Sequence, residues 1–421
     1  MKSGWVESEA RATVDHYAAQ GVAPDLALRI YSTRLLGRDP RLVLHGAGNT
    51  SVKTRMHDLL GESVDVLCIK GSGTDMAEIE PAGMPAVRLD RLRKLRARPT
   101  LSDEDMVRVQ RENLLDPAAP NPSVETLLHA FLPHKFVDHT HATAILSLVD
   151  QPDGEAICAD LFDGRVGIVP YVMPGFALAK LAADVYDAWP EVEGLVLHKH
   201  GLFSFADDAR ASYERTIELV TRAEERLRTN RRPVFATAHM PQQVAPAVEV
   251  APLLRGACSQ PDGRTEGAWR RLILEFRASE AIGNFVNGAD LKRYSQAGVV
   301  TPDHTIRTKN WPLVVPSPEA GKLDDFRRAA RQAATDFIAH YQDYFARHNE
   351  RAGGSKRPLD PLPRVVLVPG LGLFGLGRSL KDARIAARRK SSSLPASGAG
   401  TTSGQFLVRM VWSGVTTPAW L

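Results

Sequence analysis

The sequence predicts an α/β layer fold over the first 230 residues, followed by a mixed α/β extension. Two observations predict it. Short apolar runs of strand length are mixed with amphipathic runs of helical period through this region. A Pro- and Ala-rich stretch, PVFATAHMPQQVAPAVEVAP, then interrupts both patterns.

The elements follow in order. Pro24 opens PDLALRIYSTRLLG, as suits the first turn of a helix, and Gly37 is placed to end it. VDVLCIK (64–70) reads as a short buried strand, and GSG follows as a turn. PSVETLLHAFL reads as a helix with Ser123 near its start, and FVDHTHA, so soon after Pro133, as a strand. RVGIVPYV and EGLVLHKH are further strands, and DDARASYERTIELVTRAEERLRTN is a long amphipathic helix capped at Asp207 or Asp208. The expected boundaries are a first domain over 1–230, a linker over 231–252 and an extension over 253–387 that contains the helix KLDDFRRAARQAATDFIAHYQDYFARHNE. No acidic residue follows Asp382, and the Ser-, Gly- and Thr-rich tail 388–421 reads as disordered or out of frame, with the native frame ending near Ala386 or Ala387. Strand order is not encoded in these local signals, and no internal repeat is present.

The bulk properties exclude several classes. A chain of 421 residues with 43% hydrophobic residues buries a core without staples. Its 53 basic and 49 acidic residues give a net charge of only +4, which offers no electrostatic case for nucleic acid or an anionic membrane as main partner. Cys68, Cys158 and Cys258 form no C-x-x-C pair, which argues against a disulfide framework or thiolate zinc knuckle and fits a reducing compartment. The N-terminus lacks the apolar run of a secretory signal, and no stretch approaches the roughly 20 apolar residues of a membrane span. The expectation is a cytoplasmic protein.

His139 and His141 form an H-x-H pair on an expected strand, where alternation turns both imidazoles to one face. His200 ends the apolar strand GLVLHKH. Three imidazoles suit zinc with a coordination position left for substrate, although an isolated H-x-H is more often two ordinary histidines. His129, His134 and His198 lie close by in sequence. Glu125 can serve as general acid or base beside a metal, or simply complement a helix N-terminus. HGAGNTSVKT (45–54) and KGSGTD (70–75) are Gly-rich turns able to expose N–H groups and hydroxyls to an anion, and neither matches the Walker pattern.

The order Gly-Asn-x-Ser, strand plus Ser-Gly, Pro-Ser-x-Glu, His-x-His and His-Gly resembles the class II aldolase/adducin family over about residues 20–230. Beyond it, IYSTRLLGRDPRLVLHGAGNTSVKT, VTPDHTIRTKNWPLVV and VVLVPGLGLFGLG resemble the aldolase part of bifunctional rhamnulose-1-phosphate aldolase/short-chain alcohol dehydrogenase proteins. The resemblance implies an aldolase/adducin-type three-layer α/β/α domain with a mixed C-terminal extension. It implies one zinc ion per subunit on His139, His141 and His200, and Glu125 as acid/base, able to close the zinc shell of the empty site. It also implies a phosphate site of Asn49, Ser72, Gly73 and Ser123, and a homotetramer with sites near subunit interfaces. Val124 stands where many members have a second serine, which removes one phosphate hydroxyl. Some members use a tyrosine from a neighbouring subunit; none lies between Ala142 and Pro170, and the role is not carried onto Tyr171. The implied reaction is zinc-assisted cleavage of a ketose 1-phosphate, rhamnulose 1-phosphate by the second resemblance, to dihydroxyacetone phosphate and lactaldehyde. Related 4-epimerases have aspartate in place of the glutamate, so Glu125 favours cleavage. The rival readings are a sugar-phosphate epimerase on the same metal site and a non-catalytic adducin-like scaffold.

Gly370-x-Gly372-x-x-Gly375 after an apolar strand formally fits a dinucleotide fingerprint. No acidic residue stands about 20 positions further on, as that fingerprint needs, and a connector is expected instead.

Overall fold

The computed structural model describes residues 1–229, 238–262, 265–299, 302–351 and 353–392. The chain divides into two compact units, Met1–Leu227 and a second beginning at Arg228.

The first unit is built on a seven-stranded sheet. Its strands are β1 (Asn49–His57), β2 (Ser63–Ile69), β3 (Ala86–Arg88), β4 (Phe136–Thr140), β5 (Val166–Val169), β6 (Gly194–Leu197) and β7 (Gly201–Ala206). The order is β3-β2-β1-β4-β7-β6-β5, and neighbours are antiparallel except the parallel β5–β6 pair. The helices are α1 (Glu7–Ala18), α2 (Pro24–Arg38), α3 (Leu89–Lys94), α4 (Asp103–Glu112), α5 (Thr126–Phe131), α6 (Thr143–Val149), α7 (Gly154–Phe162), α8 (Phe176–Ala188) and α9 (Ala209–Thr229).

Strand alternation divides the core in two. Val52, Val66, Cys68 and Phe136 face Tyr17, Leu26 and Ile30 of α1 and α2. Leu67, Ile69, Val137, Phe203 and Phe205 face Leu127 of α5 and Phe176 and Ala179 of α8. Helices therefore cover both faces, giving the three-layer α/β/α arrangement expected. A fully buried ion pair, Arg29 Nη2 to Asp138 Oδ1 at 2.5 Å, ties α2 to β4. Gly37 does not end α2, which continues through Arg38. A Cβ at Gly37 would lie 2.3 Å from the Ala77 nitrogen, so the glycine permits close approach of the 3-10 turn Met76–Glu78. Asp208 is the cap of α9, its Oδ1 accepting from the Ala211 N–H at 2.8 Å.

The second unit carries α10 (Ala247–Ala257), β8 (Gln260–Pro261), β9 (Trp269–Arg270), β10 (Ile273–Arg277), α11 (Glu280–Val286), α12 (Leu291–Tyr294), α13 (Pro302–Thr308), β11 (Leu313–Val314), α14 (Leu323–Arg351), β12 (Val365–Val368), β13 (Gly372–Gly377) and α15 (Leu380–Ser392). A four-stranded sheet runs β10-β13-β12-β11. Val366 and Val368 face Val250 of α10 and Phe337 of α14, whereas Val365 and Leu367 face Phe285, Tyr294 and Ala386.

Two expected boundaries fall differently. The last part of the expected linker is helical: Val250 and Leu254, four apart, bury one face of α10 despite Pro252 within it. At the other end α15 continues past residue 387 to Ser392, with Ala383, Ala386 and Ala387 buried. The remainder of the expected tail, 393–421, lies outside the described residues, as do residues 230–237 of the linker region.

The glycine run forms the antiparallel hairpin β12–β13, with Gly370 in its turn at φ 81°. A Cβ at Gly375 would stand 2.4 Å from the Ala383 oxygen and 2.5 Å from the Ala387 nitrogen. Gly375 thus admits α15 against the strand, and the run forms a strand–turn–strand arrangement and not the strand–loop–helix of a dinucleotide cradle. Among the described residues no helix is long and apolar enough to cross a membrane.

Candidate active site

His139 lies on β4, whose five residues are all buried, and pairs across the sheet with Asn49 of β1 and Phe203 of β7. His141 stands just beyond the strand end. His200 lies in the turn between β6 and β7, not in the strand itself, and Lys199 takes a left-handed φ of 56° to make that turn. One ligand atom from each of His139, His141 and His200 lies within 4.8 Å of the others, and Nε2 of His139 is 2.9 Å from Nε2 of His141.

Packing orients the central ring. His139 stacks on Phe203 at 4.1 Å between centroids, and its Nδ1 lies 3.1 Å from the Leu202 carbonyl oxygen. That oxygen only accepts, so the proton is assigned to Nδ1 and a lone pair at Nε2 faces the cluster. Gly201 is required beside it: an added Cβ would meet the Thr140 oxygen at 2.5 Å and ring atoms of His141 and His139 at 3.1 and 3.2 Å.

Glu125 completes the cluster. Its Oε2 is 3.3 Å from His139 Nε2, and its Oε1 is 3.1 Å from His200 Nε2. The residue occupies the N-cap position of α5, which begins only at Thr126, so the carboxylate comes off the helix start and not its body. Burial opposes its charge, yet His139, His200 and His141 together hold the carboxyl well below the usual carboxylate range. Burial pushes the His139 imidazole well below its ordinary value. Despite these close approaches, Oε1 of Glu125 and Nδ1 of His200 are buried without a hydrogen bond of ordinary geometry among the described residues. A buried carboxylate oxygen lacking a donor, set against imidazole nitrogens, is the donor set of a divalent cation such as zinc.

Two of the expected anion-binding residues, Asn49 and Ser123, lie beside this cluster. Asn49 opens β1, and its Nδ2 lies 2.9 Å from Ser123 Oγ and 2.7 Å from Glu125 Oε2. Both amide hydrogens are thereby used within the protein. Ser72 and Gly73 sit on an exposed turn joined to the Ser123 segment by backbone bonds, Ser72 N to Asn121 O at 2.8 Å and Ser123 N to Lys70 O at 3.2 Å. Gly73 has φ 78° and open space about it. His129, treated in the sequence only as a bystander, is fully buried and lies 2.5 Å from Asn49 Oδ1 through Nε2. Its position four residues after Glu125, one helical turn away, is the signal that could have found it. His134 and His198 have other partners: His134 stacks on Phe205, and His198 Nδ1 is 2.9 Å from Glu155.

Residues 29–227 match the class II aldolase and adducin N-terminal domain, and residues 245–406 match the aldolase class II, second domain. The chain belongs to the class II aldolase family. A curated relative, the uncharacterized oxidoreductase YuxG of Bacillus subtilis (strain 168), is 32% identical over 386 residues, covering 90% of this chain and 54% of that protein. The chain thus spans about half the length of that relative. Among solved structures, the N-terminal class II aldolase domain of a conserved protein from Thermoplasma acidophilum is 38% identical, covers 54% of this chain and 100% of that one, and superposes with a TM-score of 0.48. L-fuculose-1-phosphate aldolase from Thermus thermophilus is 18% identical, covers 48% of this chain and 95% of that one, and has a TM-score of 0.32.

Proposed function

We propose that the chain is a lyase, a zinc-dependent aldolase that cleaves a ketose 1-phosphate, rhamnulose 1-phosphate in the first instance, to dihydroxyacetone phosphate and lactaldehyde. One observation carries this reading: both oxygens of Glu125 stand against Nε2 atoms of His200 and His139, with Nε2 of His141 alongside. His139, His141 and His200 would hold the ion, one per subunit, with Glu125 able to close the shell when substrate is absent. When bound, such an ion supplies Lewis-acid polarisation of the substrate's carbonyl and neighbouring hydroxyl oxygens.

The chain's own residues supply proton movement and orientation. Glu125 takes the C4 hydroxyl proton as the C3–C4 electron pair passes to C3 and the C2 carbonyl oxygen, and C4 departs as the aldehyde. The same carboxyl returns the proton to C3, which yields dihydroxyacetone phosphate. Ser123 Oγ already accepts from Asn49 Nδ2 at 2.9 Å and from the Glu125 N–H at 3.3 Å, so its own hydrogen is left to donate to the phosphate. Ser72 and Gly73 hold the same group, away from the reacting carbons.

The oxidoreductase name of the Bacillus relative is not carried over, because the chain spans only 54% of that protein. A homotetramer in the cytoplasm completes the proposal, and light scattering measures the assembly. The decisive assay follows dihydroxyacetone phosphate release from a panel of ketose 1-phosphates by zinc-loaded protein. An isomeric sugar phosphate as sole product identifies an epimerase. A metal-free, inert protein identifies a scaffold.

A further inference from the structure

His129 is a buried polar group to which the lyase reading gives no role. It lies on α5 one turn beyond Glu125 and is 0% exposed. Its Nε2 is 2.5 Å from Asn49 Oδ1 and its Nδ1 is 2.8 Å from Ser51 Oγ. The Asn49 amide sets the direction of the bonds: its Nδ2, an NH₂ that only donates, stands 2.7 Å from Glu125 Oε2. The second amide hydrogen goes to Ser123 Oγ. The amide oxygen therefore faces His129, and only an Nε2–H satisfies it. Nδ1 is then a lone pair and accepts the Ser51 hydroxyl. The reversed arrangement would press the amide oxygen against the carboxylate where no water can separate them. Burial pushes the His129 imidazole down to about 3, so the ring is neutral, as this order of donors requires.

We propose that His129 is a positioning residue: as the neutral Nε2–H tautomer it locks the Asn49 amide with both hydrogens directed at Glu125 and Ser123. Glu125 is thereby held in one placement beside the three imidazoles, and the Ser123 hydroxyl hydrogen is kept for the substrate's anionic group. The kinetic consequence rests on the lyase reading. The tautomer does not.

The test has two arms, both on the full chain loaded with zinc. In the first, long-range nitrogen–proton NMR of ¹⁵N-histidine-labelled protein is assigned by loss of the His129 signals in His129→Gln. A proton on Nε2 and none on Nδ1 at neutral pH is expected. A proton on Nδ1, or on both nitrogens, overturns the proposal. In the second, His129→Leu lowers kcat by about 10- to 100-fold with KM changed less than about threefold, and zinc content is unchanged. His129→Gln keeps an N–H close to the place of Nε2 and restores kcat to within about threefold of the wild type. Equal losses in the two variants, or a parallel loss of zinc, would assign the effect to packing and overturn the proposal. If the wild-type protein turns over no ketose phosphate, the lyase reading fails, and the ring-nitrogen measurement still decides the role of His129.

Discussion

Oε1 of Glu125 lies 3.1 Å from Nε2 of His200, although one residue caps the start of α5 and the other sits in the turn between β6 and β7. Two pieces of chain distant in sequence are thus brought into direct contact. Each residue alone has an ordinary reading, a helix-end carboxylate or a turn histidine. Their approach, beside His139 and His141, is what gives the pair chemical meaning.

Glu125→Gln preserves shape and removes the carboxylate's capacity to move a proton. Zinc content stays at the wild-type level by elemental analysis, and dihydroxyacetone phosphate release falls by about 10²-fold or more. Near-normal turnover would take Glu125 out of the mechanism.

Gly201→Ala places a methyl group against the Thr140 oxygen and the rings of His139 and His141. The β6–β7 turn cannot yield without moving His200. Competition against a chelator is expected to show zinc affinity lowered by about 10- to 100-fold, with helix content by circular dichroism retained. Unaltered affinity would mean that the imidazole geometry tolerates this displacement.

Asp138 precedes His139 on β4 and faces the opposite side of the sheet, paired with Arg29, both fully buried. Asp138→Asn leaves the guanidinium without a counter-charge in the core. A loss of about 3–5 kcal/mol in urea unfolding is expected, and the pair of changes Arg29→Met with Asp138→Leu recovers part of it. A double variant worse than the sum of the single ones would contradict this.

Lys309 gives the second unit a pH signature. It is 2% exposed, its Nζ donates to the Asp360 carbonyl at 2.5 Å, and it stands 3.9 Å from the Tyr341 ring centre. Burial pushes its ammonium down to about 7 from an ordinary 10.5. Between those values the unfolded chain binds a proton that the folded chain lacks, so this group makes stability rise with pH across that window, its penalty greatest below it. Unfolding midpoints at about pH 7.5 and 9.5 are therefore expected to rise more in wild type than in Lys309→Met. Equal changes would remove Lys309 as the source.

Much of the first unit was legible because its signals are local. Val66 to Ile69 form one apolar run, Asp208 caps α9, and H-x-H with His-Gly marked the three imidazoles that do converge. What was not legible depends on partners distant in sequence. Gly37 looks like a helix end until the turn at Met76 is seen pressed against it. Gly375 looks like part of a phosphate loop until α15 lies on it. Val250 and Leu254 carry helical spacing that the prolines around them obscure. Asn49 reads as a phosphate ligand from its motif, but its amide is already engaged by Ser123, Glu125 and His129, an arrangement that only the β1–β4 register and α5 together create.

In the proposed enzyme His139, His141 and His200 hold a catalytic divalent ion beside Glu125. Crystals of the zinc-loaded protein, measured for anomalous scattering on both sides of the zinc edge, decide whether they do. A single peak about 2.0–2.1 Å from Nε2 of all three histidines is predicted. A peak on other residues, or none after zinc loading, would contradict it.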